Sequence, residues 1–261
     1  TKRHEDKYGK LTAKDVRVEP IKAADASALI KRVHYSGKVT QNSQLHLGVF
    51  LDGKLEGAMQ FGPSIDKRKI QGLVKETGWN EFIELNRLAF SENLPRNSES
   101  RAIGITMRII RKQYPHIKWV ISFADGTQCG DGTIYRASGF FLIGIKKNTT
   151  MLQMPDGSIV ADKTLNGHIT KKSGWWNKHG AKALKGFQLR YIYFLDKSAK
   201  FNLAVPILPF SKIDEMGAGM YLGKARGKQA MAEPTAQRRG SADLHAPNQI
   251  VRENSSPLKK G

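Results

Sequence analysis

The stretch from Glu84 to Gly144 constrains the fold of this chain most, because strand and helix patterns follow one another along it in a regular order. A strand-like ELNRLAF leads into a polar loop ending in NSESR, a helical run, the apolar IKWVISFAD, and GTIYRASGFFLIG, which indicates a short helix and a strand. This order favours a βαβ core. Its loop feeds directly into a helix N-terminus, where free backbone N–H groups and the helix dipole can hold a phosphate. The stretch therefore predicts an α/β fold with a candidate site at that loop.

The helix in the middle of this stretch has clear boundary signals. Ser98 or Ser100 is expected to cap its start, and Pro115 to stop it after Tyr114. Apolar residues recur at helical spacing along it, while Arg101 and other basic residues fall elsewhere around the helix. This pattern predicts one amphipathic helix with a basic outer face.

Local patterns outside this stretch predict four further elements. Apolar runs on both sides of Asp52-Gly53 predict a hairpin. Residues 21–33 have the pattern of a helix, residues 154–158 that of a hairpin turn, and residues 187–195 that of a sheet strand. Together with the βαβ core, these elements predict a mixed central sheet flanked by helices.

Length and charge predict how the chain is organised. Its 261 residues suit one domain with a tail, and 43 basic against 23 acidic residues give a net charge of +20. Residues 1–15 are expected to form a basic N-terminal arm, residues 16–222 the folded domain, and residues 223–261 a disordered basic tail with eight basic and three acidic residues. Removing the tail leaves about +15, so the folded part itself is basic.

Such a charge favours a polyanion as partner, and a nucleic acid first of all. The alternatives are a basic protein without such a partner and a membrane-surface binder, but no basic amphipathic helix with an aromatic face supports the membrane. The single cysteine, Cys129, excludes an intramolecular disulfide and a cysteine-rich zinc site. No signal-peptide pattern and no apolar run near 18 residues long is present, so a cytoplasmic protein is expected. The sequence leaves the oligomeric state open.

The segment Arg101-Ala-Ile-Gly104-Ile-Thr106 approximates a known phosphate loop. It resembles the R/Q-x-x-G-x-G/A pattern by which GNAT-type acetyltransferases hold the pyrophosphate of coenzyme A, although Thr106 departs from the last small position. That resemblance implies that Ser98, Ser100, Arg101 and Gly104 bind the cofactor, with Arg101 as counter-charge. The alternative is an ordinary capped helix in which one glycine lowers the helix propensity.

Several segments taken together resemble the Mom family of phage DNA-modification proteins. They are HYS at 34–36, ELNRL at 84–88, LPRNSESR at 94–101, SFAD at 122–125 and GTIYRASGF at 132–140. The similarity covers roughly residues 16–222. Membership would imply a GNAT-like fold and double-stranded DNA as substrate, in the cytoplasm of the bacterial host. It would also imply conversion of the exocyclic amine of adenine to a carbamoylmethyl derivative that protects phage DNA from restriction.

The candidate catalytic residues follow from these motifs and from the chemistry of the amine. They are His34, Tyr35, Arg87, Asp125 and Tyr135. Asp125 ends an apolar strand, where open α/β sheets bind ligands, and is the preferred base; the alternative is that it only caps the following turn. Tyr135 stands where many GNAT enzymes place their general acid, its alternative being a half-buried aromatic. Arg87 lies within a strand, where a charge needs a partner or a function.

The group donor remains open at this point. Transfer from a coenzyme A thioester would leave an acetyl amide, whereas the family's product has a methylene on the amine and a terminal carboxamide. An acyl-coenzyme A or another small-group donor is therefore expected, with a rearrangement or a redox metal as the missing part. His34 and Asp125, together with His46 or Glu84, would offer nitrogen and oxygen ligands to iron. The alternative for His34 is a charged residue at a helix C-terminus.

Basic and aromatic residues alternate between residues 167 and 184. We expect DNA contacts from Lys171, Lys172, Trp175, Trp176 and Lys178, because basic side chains bind phosphates while aromatic rings stack on a base or wedge beside it. The alternative is a tryptophan pair that anchors this segment to the core.

Three functions remain possible from the sequence. The first is a DNA-modifying enzyme, the second a non-catalytic basic DNA-binding protein on a GNAT-like fold, and the third an acetyltransferase of protein or small-molecule amines. Convergence of His34, Arg87, Ser98, Ser100, Asp125 and Tyr135 on one cleft would favour an enzyme, since a protein that only binds DNA has no use for it.

Overall fold

The computed structural model describes residues 10–34, 36–127, 130–148, 150–161, 178–221 and 224–225. All of these residues belong to one compact unit, Thr1–Met231. A second unit, Ala232–Gly261, lies outside the described residues, as do most of the predicted N-terminal arm and nearly all of the predicted tail. Within the described ranges, no helix has the length and apolar character needed to cross a membrane.

A seven-stranded sheet in the order β1-β2-β3-β4-β5-β10-β6 forms the centre of the described unit. Its strands are β1 Arg17–Pro20, β2 Leu45–Leu51, β3 Lys54–Gly62, β4 Phe82–Phe90, β5 Trp119–Asp125, β6 Phe141–Asn148 and β10 Gly186–Phe194. All neighbouring strands are antiparallel except β4 and β5, which are parallel. The predicted mixed central sheet is confirmed.

Helices cover both faces of this sheet. They are α1 Ala23–Val33, α2 Lys67–Gln71, α3 Ser98–Gln113, α4 Thr133–Ala137 and α5 Ser211–Glu215, with 3-10 turns at Ala13–Asp15 and Ser198–Asn202. The helix α1 packs Leu29 and Ile30 onto Ala58 and Ala89 of β3 and β4. The helix α3 packs its apolar stripe onto the opposite face. We call these the α1 face and the α3 face.

The connection from β4 through α3 to β5 is the predicted βαβ core. Burial of the apolar stripe of α3, including Ala102, Ile103 and Met107, fixes the helix on the sheet. The helix ends at Gln113, before Pro115, as predicted. The prediction for its start is wrong: the N-cap is Asn97, whose φ of 69° is left-handed and whose side chain forms no capping hydrogen bond. The backbone turn at Asn97, rather than a serine side chain, begins the helix.

The other local predictions are confirmed. The strands β2 and β3 form a hairpin whose turn residues Asp52 and Gly53 have positive φ values of 50° and 79°, the conformation that a tight two-residue turn requires. The predicted turn at residues 154–158 joins β7 Met151–Gln153 to β8 Ile159–Ala161. Short strands complete two smaller sheets: β9 Lys182–Ala183, β11 Met220–Tyr221 and β12 Lys224–Ala225.

Candidate active site

The parallel strands β4 and β5 separate soon after they start. They pair only at Phe82↔Trp119, Ile83↔Val120 and Glu84↔Ile121. Just beyond the last pair, the buried Ser122 hydroxyl donates a hydrogen bond to the Leu85 carbonyl at 3.3 Å. The carboxyl ends of the two strands are therefore free to bind a ligand between them, at the position where open α/β sheets bind theirs.

A β-bulge in β4 concentrates polar side chains beside this opening. The pairing of β4 with β3 shifts between Gln60↔Arg87 and Phe61↔Leu85, so Asn86 is an extra residue on β4. A bulge of this kind bends the strand and redirects its side chains. Glu84, Asn86 and Arg87 consequently share the α1 face instead of alternating between the two faces.

The neighbouring strands add polar groups to the same face. Gln60 of β3, in register with Arg87, is fully buried, and its Nε2 donates to Nδ1 of His46 on β2 at 3.2 Å. We call the following set the polar cluster: His34, His46, Gln60, Glu84, Asn86 and Arg87. It occupies the α1 face between the apolar contacts under α1 and those formed by Phe82, Trp119 and Ile121.

The segment that follows α1 folds over the polar cluster and fixes it. Nε of Arg87 donates to the Lys38 carbonyl at 3.0 Å, and its Nη1 donates to the Asn86 carbonyl at 2.8 Å. The Ser43 hydroxyl donates to Oδ1 of Asn86 at 3.2 Å. The two bonds from Arg87 use different nitrogens of its guanidinium, so they hold this group in one orientation. The bond from Ser43 fixes the neighbouring Asn86 amide.

His34 is neutral at physiological pH. It is the C-terminal cap residue of α1, and its Nδ1 accepts a hydrogen bond from the Ser36 backbone N–H at 3.1 Å. Burial, and then the charge of Arg87, lowers the pKa of His34 from 6.5 to about 4. The predicted alternative, a charged histidine at a helix end, does not fit this pKa. Neutral His34 instead offers a donor at Nε2 and remains uncharged beside Arg87.

Glu84 has the opposite perturbation. Burial raises the pKa of its carboxyl group, while the neighbouring Ser64 hydroxyl, Asn86 amide and Arg87 guanidinium lower it to a smaller extent. A carboxylate whose pKa is raised by burial accepts a proton more readily than an exposed one. Such groups, next to a specific charge partner such as Arg87, are typical of functional sites.

Three buried polar atoms near the polar cluster are left without a hydrogen-bond partner among the described residues. They are Oε1 of Gln60, Oγ of Ser64 and Oγ1 of Thr40, the last in the segment that folds over the cluster. Buried polar atoms are nearly always satisfied in proteins, so each exception needs an explanation. A bound polar ligand on the α1 face would satisfy them.

Asp125 ends β5 on the α1 face, the same face as Ile121 and Glu84. Its carboxylate accepts a hydrogen bond from the Thr127 backbone N–H at 3.0 Å, which forms the turn that sequence reasoning gave as the alternative role. Asp125 thus lies on β5 four residues beyond Ile121 of the last pair, and Arg87 lies on β4 three residues beyond Glu84 of the same pair.

The N-terminus of α3 lies on the other face of the sheet. Ser98 is fully buried and its hydroxyl is unsatisfied among the described residues, whereas the Ser100 hydroxyl donates to the Asn97 carbonyl at 3.2 Å. Arg101 is exposed and donates to the Lys14 carbonyl at 3.4 Å. A side chain at Gly104 would find open space, with no other atom within 4 Å. An unsatisfied hydroxyl, an exposed guanidinium and an open glycine surface fit an anionic ligand.

The departure at Thr106 does not obstruct this surface. Thr106 is fully buried, and its hydroxyl faces Sδ of Met59 in the core at 3.6 Å. Its side chain therefore packs into the sheet, away from the open side of Gly104. The residue replaces a small one without crowding a ligand on the outer side of α3.

Tyr135 lies on the α3 face and not with the polar cluster. Its ring is buried in the core against Phe140 and Tyr191, at centroid distances of 5.4 and 5.2 Å. The six residues that the sequence was expected to bring to one cleft therefore do not share one face of the sheet.

Three of them, His34, Arg87 and Asp125, lie on the α1 face. The other three, Ser98, Ser100 and Tyr135, lie on the α3 face, on the other side of the opening between β4 and β5.

Several predicted residues lie outside the described ranges: Tyr35, Lys171, Lys172, Trp175 and Trp176. Lys178 is described and exposed. For the predicted iron site, the described residues include no group of three histidine, cysteine, aspartate or glutamate side chains that could hold a metal ion. His34 and Asp125 thus gain no third ligand of these types within the described part of the chain.

Sequence reasoning missed two members of this neighbourhood, Gln60 and Ser64. Gln60 lies in β3 opposite Arg87, and Ser64 lies two residues beyond the end of β3, beside Glu84, so only the pairing of β3 with β4 brings them to the site. A weak signal was present, since Gln60 is a polar residue inside the apolar run Ala58 to Phe61. A buried amide in such a run requires hydrogen-bond partners.

Comparison with known proteins decides the family. The model of the Mom protein family matches residues 15–212. The chain belongs to the Mom protein family. Within it, the chain is 39% identical over 198 residues to the methylcarbamoylase mom of Escherichia phage Mu, an alignment that covers 73% of this chain and 80% of the relative. The matched region contains the polar cluster and the start of α3.

Solved structures with a similar arrangement include acetyltransferases. The IAA acetyltransferase of Bacillus cereus is 10% identical with a TM-score of 0.40, covering 69% of this chain and 99% of the other. A Bacillus subtilis acetyltransferase in complex with CoA is 10% identical with a TM-score of 0.41, covering 69% and 98%. Scores this low carry no information about activity or cofactor.

Proposed function

We propose that this Mom-family protein is a DNA-modifying enzyme that converts the exocyclic amine of adenine in double-stranded DNA to a carbamoylmethyl derivative, which protects phage DNA from host restriction. Membership of the family, with 39% identity to the methylcarbamoylase mom, is the observation that carries this proposal. The polar cluster supports it, because a half-buried arginine, a carboxylate with a raised pKa and a neutral histidine on one sheet face are typical of a functional site.

Adenine has to leave the duplex to reach this site. Its exocyclic amine is paired inside the helix, and enzymes that act on a base extrude it and read its Watson–Crick edge. The unsatisfied Oε1 of Gln60 and the carboxylate of Glu84 are acceptors suited to an amine. We assign these two groups to the bound adenine.

Proton removal is the second task of the site. The amine loses a proton when it is substituted, and the two carboxylates on the α1 face are the candidate acceptors. We assign this role to Asp125, at the open end of β5, and the polarisation of the amine to Glu84. Arg87 stabilises negative charge that develops beside these groups. Neutral His34 and Tyr35 complete the proposed set on the amine side. Tyr135 lies on the α3 face, as does the proposed donor site, and is the proposed acid that protonates the departing thiolate of the donor.

The donor is proposed to bind at the start of α3. Ser98, Ser100, Arg101 and Gly104 suit the pyrophosphate of an acyl-coenzyme A, which would supply the activated group. The chemistry of the product requires a further step beyond simple acyl transfer, so another small-group donor with an anionic part would suit the same surface.

The open space beside Gly104 gives a specific prediction for the donor site. Gly104→Ala should stabilise the protein by up to about 1 kcal/mol, because alanine has the higher helix propensity and meets open space here. The same methyl group should weaken binding of coenzyme A, since it occupies the surface proposed for the pyrophosphate. Thermal unfolding and calorimetric titration measure the two effects. Greater stability with unchanged affinity would place the pyrophosphate elsewhere.

Mass spectrometry of nucleosides tests the function directly. DNA from bacteria expressing the full chain should contain a modified deoxyadenosine whose mass increase matches a carbamoylmethyl group. DNA from cells carrying the empty vector serves as control. A digest with only unmodified deoxyadenosine, in cells that contain the folded protein, contradicts the proposal. An acetyl adduct on protein or a small amine would instead favour an ordinary acetyltransferase.

A further inference from the structure

Ile65 is the most unusual exposed side chain near the polar cluster. It is 89% exposed, in the segment between β3 and α2. Single exposed apolar residues are common and need no explanation by themselves. The position of Ile65 does need one, because its chain neighbour Ser64 is buried and lies beside the carboxylate of Glu84. An apolar side chain thus projects from the rim of the candidate active site.

The residues that follow Ile65 are strongly basic. The helix α2 contains Lys67, Arg68 and Lys69 in succession, and Asp66 is its N-cap residue. Nζ of Lys67 lies 4.6 Å from the ring centroid of Trp79, which is itself 50% exposed. A projecting isoleucine next to three consecutive basic residues is suited to a partner with an apolar interior, which the isoleucine would contact, and an anionic surface, which the basic residues would contact. Stacked bases inside a phosphate backbone have this character.

Extrusion of a base leaves a gap in the duplex that an apolar side chain such as Ile65 can fill. Removing adenine from the stack leaves a gap in the duplex and an unpaired base opposite. Proteins that distort DNA insert apolar wedges such as isoleucine between base steps. The gap and the extruded base belong to one nucleotide, so the wedge has to lie next to the base-binding site. Ile65 satisfies this condition through Ser64 and Glu84.

We propose that Ile65 is the wedge that enters the DNA duplex and holds open the position vacated by the target adenine, while α2 contacts the flanking phosphates. This inference rests on the proposed function, since it takes double-stranded DNA with an extruded adenine as the substrate. It adds a surface and a residue that the predicted DNA contacts between residues 171 and 178 do not include.

Modification in cells provides the first test. Ile65→Ala should lower the initial rate at which modified adenine accumulates at least about tenfold, which corresponds to about 1.4 kcal/mol in the reaction barrier. Ile65→Leu should retain most activity, because it keeps an apolar wedge of the same volume. The matched control is Ile207→Ala, the same substitution at a 40% exposed residue beside the edge strand β6. It should change the yield less than about twofold.

Fluorescence of purified full-length protein with DNA provides the second test. A duplex carries 2-aminopurine at an adenine that mapping in cells shows to be modified, and unstacking of this base raises its emission. The wild-type protein and Ile207→Ala should raise the emission, whereas Ile65→Ala should bind the duplex without doing so. Placing the target opposite an abasic site, which removes its pairing partner, should restore the emission with Ile65→Ala.

The outcomes separate this inference from the function on which it rests. Absence of modified adenine with the wild-type protein overturns both. Modified adenine with the wild-type protein, together with full yield and full emission for Ile65→Ala, leaves the function standing and overturns the wedge. A loss as large for Ile207→Ala also overturns it, because the effect would then come from any exposed isoleucine.

Discussion

Arg87→Ala should lower the yield of modified adenine by at least about a hundredfold, the scale on which loss of one charge-stabilising donor slows an enzyme. Arg87 is the single cation of the polar cluster, and its charge acts on both Glu84 and His34. Its loss removes positive charge at the place where negative charge develops. Nucleoside mass spectrometry at matched protein levels measures the effect.

Three companion measurements distinguish this role from a structural one. Arg87→Lys keeps the charge but loses the planar donor fork, so it should fall between the wild type and Arg87→Ala. Arg108→Ala, at an exposed position of α3, is the matched control and should leave the yield unchanged. The pKa of His34, followed by NMR, should rise towards 6.5 in Arg87→Ala, because the Arg87 charge lowers it. Full modification by a folded Arg87→Ala protein would remove Arg87 from the mechanism.

The fold was predictable where local patterns decide it. The βαβ core, the hairpin at Asp52-Gly53 and the end of α3 follow from apolar periodicity and turn residues. The start of α3 was not predictable in this way. Asn97 adopts a left-handed conformation that depends on the whole loop after β4, and this conformation takes the place of a serine cap.

The candidate site was predictable only in part. Charged residues inside an apolar strand identified Arg87 and Glu84, because burial of a charge needs a partner. Strict alternation, however, would place Glu84 and Arg87 on opposite faces. The bulge at Asn86 brings them to one face, and it exists only in the pairing with β3.

The positions of the remaining site residues depend on long-range packing. The pairing of β3 with β4 brings Gln60 and Ser64 to the site, and no local pattern states which strands pair. Tyr135 shows the same limit, since its motif predicts a short helix but not the face that this helix covers. Its ring packs against Tyr191 on the α3 face.

Glu84→Gln should stabilise the folded protein at neutral and alkaline pH, and it should lower the yield of modified adenine at least about a hundredfold. Burial raises the pKa of Glu84, so the folded protein binds this proton more readily than the unfolded chain does. The ionised carboxylate therefore costs stability as pH rises above the ordinary value of 4.5 and through the raised pKa. Glutamine keeps the shape and removes the charge.

The pH dependence of unfolding tests the sign of this effect. The melting temperature of Glu84→Gln should exceed that of the wild type at pH 8, and the difference should shrink as pH falls below about 4.5, where both chains are neutral at this position. Glu81→Gln is the matched control with the opposite sign. Glu81 pairs with Lys118 at 2.8 Å, and its pKa is lowered, so its replacement should bring no gain at pH 8.

Activity of the same variants then separates the two carboxylates on the α1 face. Asp125→Asn preserves the turn, because the asparagine oxygen accepts the bond from the Thr127 N–H as well. It should lose the product without gaining stability, whereas Glu84→Gln loses the product and gains stability. A buried carboxylate that lowers stability is typical of a functional site. A stabilised Glu84→Gln protein with full activity would show that Glu84 has no such function, and would leave Asp125 as the base acting alone.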